Sequence, residues 1–179
     1  MGIGDQNDAV PPSPSTILTS RLTLTPLRED DAEAMVGVLA DKRMYEFTGG
    51  QSPTVADLRA RYRQLVVGHP ADRSEWWFNW VVRMSPDMAP VGAMQATVTP
   101  DGRSADVAWE IGVPWQGRGL ASEAADAVVG WLLDNDVAVV QALVHPDHLA
   151  SAAVAARAGL ARTSALVDGE VVWRRSAPS

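Results

Sequence analysis

From Ile17 to Leu27 the chain reads ILTSRLTLTPL, with Leu22 and Leu24 on one face and Thr and Arg on the other. That period of two predicts a half-buried strand. Asp30 or Asp31 can cap a helix reaching about Ala40, in which Ala32, Met35, Val36 and Leu39 recur at steps of three and four. A loop with Tyr45, Phe47, Gly49 and Gly50 leads to a second helix, starting at Thr54 and burying Leu58, Tyr62 and Leu65. Glu75 to Arg83 (EWWFNWVVR) then alternates as a strand covered on both faces. Val91 to Thr99 predicts the next strand, Asp101-Gly102 a hairpin turn, and Ser104 to Val113 its return. Beyond them the pattern predicts a helix over Ala121 to Asn135 and a short apolar strand over Val137 to Val144. An Ala-rich helix over Leu149 to Ala158, stopped by Gly159, and two short strands about Asp168-Gly169 complete the chain.

This order, β-α-α-β-β-β-α-β-α-β-β, is that of an α+β domain with a mixed sheet. Residues 16–176 read as one domain. Residues 1–15 read as a disordered tail, because PPSPS offers nothing to bury.

Composition narrows the function classes. The chain of 179 residues has 15 basic and 22 acidic side chains, a net charge of −7. Phosphate-rich nucleic acid is a poor partner for such a surface, whereas a cationic amine is attracted to it. With no cysteine, the chain offers neither thiolate metal sites nor a Cys nucleophile. His69, His145 and His148 have no ligand spacing with nearby acids, so no metal is expected. No apolar run approaches the ~20 residues of a membrane span. The polar start lacks the basic and apolar regions of a signal peptide, so the expected place is the cytoplasm.

The segment with chemistry in it is Gln116-Gly117-Arg118-Gly119-Leu120-Ala121, between a strand and a helix. Glycines allow a tight backbone turn there, and the first helical N–H groups attract an anion such as a diphosphate. A Walker loop would need Gly-Lys-Ser/Thr, which is absent. A dinucleotide fingerprint would need an acid ending the next strand, and Asp136 precedes that strand instead. The remaining reading is a pyrophosphate loop for coenzyme A.

On these residues the chain resembles the GNAT family of N-acetyltransferases, whose loop is written Arg/Gln-x-x-Gly-x-Gly/Ala and is matched by Gln116, Gly119 and Ala121. Trp109 to Val113 before the loop, Ala121-Ser122-Glu123-Ala124 after it and His145-Pro146-Asp147-His148-Leu149-Ala150-Ser151 resemble the RimJ/RimL-like branch, which acetylates ribosomal-protein N-termini.

The resemblance implies a mostly antiparallel central sheet with helices on both faces and a splayed strand pair that admits acetyl-CoA. It implies that the pantetheine arm pairs with backbone at Ile111, Gly112 and Val113. The amides of Gln116, Gly117, Arg118, Gly119, Leu120, Ala121 and Ser122 would then hold the phosphates, with His148 in the slot of a pantetheine-contacting Asn. Glu110 matches the general base and Ser151 the group that protonates the leaving thiolate, with His148 a second candidate donor. The Tyr that many relatives use is replaced by Ala155.

Tyr45 and Phe47 fall where the family builds its acceptor wall. The implied reaction is direct transfer of acetyl from acetyl-CoA to a primary amine, a small molecule or a protein N-terminus. A non-catalytic acyl-CoA-binding module is the alternative. Many relatives dimerise through late strands, but the sequence specifies no interface. The net acidity is expected to lie on the acceptor side.

Overall fold

The computed structural model describes residues 13–177. Its strands are β1 (Ile17–Leu18), β2 (Leu22–Pro26), β3 (Trp76–Met84), β4 (Pro90–Val98), β5 (Ser104–Ile111), β6 (Val139–Val144), β7 (Ala161–Val167) and β8 (Glu170–Ser176). Helices α1 (Asp31–Val38), α2 (Val55–Leu65), α3 (Leu120–Asp134) and α4 (Leu149–Arg157) complete it, with short 3₁₀ turns at Lys42–Tyr45 and Val113–Trp115. The eight strands form one sheet in the order β1-β2-β3-β4-β5-β6-β8-β7. All neighbours are antiparallel except β5 and β6. The predicted mixed α+β architecture is thus observed.

The register sorts the side chains into two layers. Trp80, Met94 and Trp109 are cross-strand neighbours, and their row faces the larger core with α3 and α4. Phe78, Trp80 and Trp131 pack edge to face there, with ring centroids 5.4–6.4 Å apart. The opposite rows, Val81–Ala93–Glu110 and Asn79–Gln95–Ala108, face α1 and α2, where Met35, Leu39, Leu58 and Tyr62 form a smaller core. α2 begins at a full capping box: Thr54 takes the Asp57 backbone N–H, and the Asp57 carboxylate takes that of Thr54.

The predicted strand over Ile17–Leu27 is two strands instead. Thr19, Ser20 and Arg21 turn between them, because their polar groups converge on the Glu123 carboxylate of α3. Of the expected tail, residues 1–12 lie outside the described residues. Ser15 accepts hydrogen bonds from the indoles of Trp80 (2.9 Å) and Trp131 (3.0 Å).

β5 and β6 pair only at Ser104–Val139, Ala105–Val140 and Asp106–Gln141. Beyond these pairs β5 follows β4 as far as Ile111, and β6 follows β8 as far as Val144. The sheet therefore opens along one seam, which is the splay expected for an acyl-CoA site.

The β4 side of the seam is tightly fitted. A Cβ at Gly92 would strike the Glu110 carbonyl and lie 2.6 Å from Ile111 Cδ1. Gly92→Ala is therefore expected to cost about 1–3 kcal/mol through overpacking, or roughly 2–4 °C of Tm per kcal/mol at this chain length. A thermal melt checks this, and an unchanged Tm would show that the two backbones have room.

Candidate functional site

A cavity of about 690 Å³ fills the opened seam and continues under α2. It is lined at one end by Gln116, Gly117, Gly119, Leu120, Ala121 and Ser122, and at the other by Glu110, Asn79, Gln95, Arg61 and Tyr62. His148 and Ser151, at the start of α4, line it between β5 and β6.

The loop end is built for an anion. Gly117 and Gly119 both take left-handed backbone angles (φ +71° and +76°), which lets the chain wrap tightly before α3. Among the described residues, the backbone N–H groups of Gly117 to Ser122 find no acceptor; the first satisfied amide is Glu123, which donates to Gly119 O. Six consecutive free amides at a helix N-terminus form a concave positive cradle.

The cradle is held from behind. Arg21 pairs with Glu123 at 2.6 Å and also donates to the Arg118 carbonyl at 3.0 Å. Burial alone would raise the Glu123 pKa, but hydrogen bonds from Thr19, Arg21 and Ser20 outweigh it and keep the carboxyl below its ordinary value. The Arg118 side chain, by contrast, is exposed and does not line the cavity.

Along the seam the backbone differs from expectation in one respect. The Ile111 carbonyl already accepts from Gln116 Nε2 at 2.8 Å, and Gly112 donates to Val91 across the sheet. Neither Gly112 nor Val113 lines the cavity. Gly112 is buried against Trp115, whose ring atoms would stand 2.9 Å from a Cβ at this position. A strand-like partner here must therefore displace the Gln116 side chain or use other groups.

Glu110 stands at the far end of the seam, on the face opposite Trp109. Burial is the main cause of its pKa, which is raised from the ordinary glutamate value and only partly restored by Arg61. Its field reaches Tyr62, whose phenol is pushed up to about 12 by burial first and then by Glu110. Among the described residues no hydrogen bond holds the Glu110 carboxylate, so it faces the cavity unsatisfied.

Across the seam, Trp109 Nε1 donates to Ser151 Oγ at 3.1 Å. The bond occupies one acceptor position of the hydroxyl, and among the described residues its proton has no acceptor, while Ser151 lines the cavity. The His148 ring is the α4 N-cap, accepting from the Ser151 N–H at 3.4 Å, and it stacks on Phe47 with centroids 4.3 Å apart. Burial and then neighbouring His145 lower its pKa, against a smaller opposing pull from Glu46. A neutral imidazole accepting at Nδ1 retains only an Nε2–H, suited to a hydrogen bond rather than to acid catalysis.

Phe47 therefore closes the cavity by bridging to α4, while Tyr45 donates its hydroxyl to the Leu39 carbonyl at 2.8 Å and leaves only its ring to the lining. Arg61, Asn79, Gln95 and the Trp109–Ser151 bond escaped the sequence reading. Nothing in their local pattern distinguishes them from solvated or core residues. The expected acidity of the acceptor side is also absent: the lining carries Glu110 and Glu170 against Arg61 and Arg157. Among the described residues there is no group of three or more His, Asp or Glu side chains that could hold a metal.

An acetyltransferase (GNAT) domain model matches residues 21–161. No curated protein matches the chain. Among solved structures, a GNAT-family acetyltransferase from Bacillus anthracis shares 18% identity at a TM-score of 0.76, over 90% of this chain and 98% of its own. RimL, an α-N-protein acetyltransferase of a ribosomal protein solved with coenzyme A, shares 16% at 0.76, over 90% and 98%. The aminoglycoside acetyltransferase AAC(6')-Ib, also with coenzyme A, shares 19% at 0.71, over 87% and 94%. At these identities the likeness is one of fold.

The raised pKa of Glu110 has a consequence for stability. The folded state holds this proton more tightly than the unfolded chain, so stability falls as pH rises from the ordinary glutamate range through the raised value. Glu110→Gln removes that loss. Melts across this window are expected to show wild type losing Tm relative to Glu110→Gln as pH rises, and parallel curves would contradict the burial assigned to Glu110.

Proposed function

The chain belongs to the GNAT family of acetyltransferases, and on that premise we propose that it transfers acetyl from acetyl-CoA to a primary amine by direct attack, with Glu110 as base and Ser151 as acid. The observation that supports this best is the single cavity joining a cradle of six free amides to an unsatisfied carboxyl through a seam in the sheet. The cradle suits a pyrophosphate and the seam a narrow extended arm. The far chamber suits an amine.

Acetyl-CoA supplies a thioester carbonyl open to attack. Glu110 accepts a proton from the acceptor ammonium, directly or through one water, and so frees the amine lone pair. Its raised pKa brings the carboxyl closer to the range in which a base is most effective. As the new C–N bond forms and the C–S bond breaks, the departing sulfur carries the negative charge. Ser151 gives it the hydroxyl proton, solvent restores that proton, and the second proton that the nitrogen sheds on becoming an amide passes to solvent. No step forms a bond to an enzyme atom, in keeping with a chain that has no cysteine.

In this reading Trp109 is a positioning residue, acting through Ser151, and His148 with Phe47 walls the arm. The RimJ/RimL-like affiliation and a cytoplasmic setting are parts of the same proposal. No helix among the described residues is long and apolar enough to cross a membrane.

Release of free CoA thiol, assayed with a panel of amines, tests the proposal. Glu110→Gln is expected to lower kcat by roughly 100-fold or more, to abolish the rise of kcat with pH on the acid side, and to leave acetyl-CoA affinity intact. An unchanged kcat removes Glu110 from the mechanism. Ser151→Ala is expected to lower kcat, and adding Trp109→Phe to it should cause little further loss, since the two act as one unit. Strictly additive effects would separate Trp109 from Ser151.

A further inference from the structure

We infer that the acceptor is an amine that also carries a carboxylate, with Arg61 as the residue that recognises it. This rests on the acetyltransfer reading and names the substrate class of the same chamber.

α2 displays three arginines at every second position. Arg59 and Arg63 clamp the α1 side, pairing with Glu33 at 2.7 Å and Glu29 at 2.6 Å. Two helical residues turn the chain by about 200°, so Arg61 projects from the opposite side of α2, and there, although exposed, it borders the cavity. None of the five ion pairs among the described residues includes it. Its charge nevertheless acts on the chamber, where it pulls down the pKa values of Glu110, Tyr45 and Tyr62 against burial.

A second observation points the same way. Asn79, only 8% exposed, lines the cavity from β3, two strands and one row from Glu110; its Nδ2 is closed off without a hydrogen-bond partner, and a half-turn of the amide would present it to a ligand. A buried donor left unpaired is costly unless an acceptor oxygen arrives with a ligand. Gln95, its cross-strand neighbour, lines the same floor.

The acceptor end therefore offers one carboxyl for an ammonium, one free guanidinium, and an orphaned amide donor. An amine with a carboxylate satisfies all three. A polyamine or polyamino sugar would find Glu110 and, across the seam on β8, Glu170, while its other charges would meet Arg61 and Arg157. The carboxylate has two sources: a free amino acid, or an acidic residue following the N-terminus of a peptide.

CoA-thiol release with matched acceptors tests the assignment. One pair is an α-amino acid and its carboxamide. The other is a C-terminally amidated dipeptide ending in Asp and its Asn counterpart. Spermidine is the polycation. Wild type is expected to prefer the carboxylate member of at least one pair by tenfold or more in kcat/KM, the pair identifying the source, and to use spermidine poorly. Arg61→Ala should bring that preference close to one, mainly through KM, and Arg61→Lys should keep part of it. Equal use of carboxylates and neutral amides, a preference for spermidine, or a preference that survives Arg61→Ala overturns this assignment alone. No CoA release with any amine overturns the acetyltransfer reading as well.

Discussion

The three-residue pairing between β5 and β6 is the constraint on which the site depends. Each of these strands keeps its outer antiparallel partner to its end, β5 with β4 and β6 with β8. Beyond Asp106 and Gln141 β5 and β6 diverge, each following its outer partner, so the sheet parts along its one parallel boundary among the described residues. A seam of this kind exposes backbone that ordinary sheets pair internally. The protein tolerates the opening because α3 and α4 cover one face of it, α1 and α2 the other, and a tightly apposed Gly92 holds β5 against β4. Once the sheet parts, the loop after β5, the start of α4 and the α2 face all border one cavity.

The electrostatics of that cavity run against those of the whole molecule. A chain of net charge −7 must still hold a polyanionic cosubstrate. Backbone amides supply the local positive potential, and the Arg21–Glu123 pair that holds the loop cancels its own charge while placing it. The opposite end is not the acidic well that the net charge suggests. It carries a single half-buried carboxyl, a free guanidinium and uncharged amides. Long-range attraction of amines is thus a property of the outer surface, whereas selection among them falls to Arg61 and Asn79.

Much of the fold was legible in the sequence because its elements are locally consistent. The Thr54 cap, the Asp101-Gly102 and Asp168-Gly169 turns and the alternation of EWWFNWVVR each specify their own structure. The Ile17–Leu27 segment did not, because its break is imposed by Glu123, about a hundred residues away. The same division holds in the site. Glycine spacing exposes the loop, whereas Glu110 and Ser151 stand out only through the resemblance of their segments to the family's. The indole bond from Trp109 to Ser151, the Phe47–His148 stack and the cavity-facing turn of Arg61 arise from tertiary packing. A tryptophan on a core face, an aromatic in a loop and an arginine on a helix look alike in sequence whether or not they serve a site. Gln116 was legible as part of the motif, yet its side chain turns back to cap Ile111, a local hydrogen bond that spacing alone does not show.

Hydrogen exchange with and without acetyl-CoA reads out whether the opened seam and the loop together receive the acyl carrier. Free amides in the cradle and along the unpaired strand ends exchange readily, and a bound ligand slows them. Protection is expected to be confined to peptides spanning about 107–122 and 142–151, with β1, β2 and β7 unchanged. Binding that leaves those segments unprotected, or that protects a different face of the sheet, would contradict that placement.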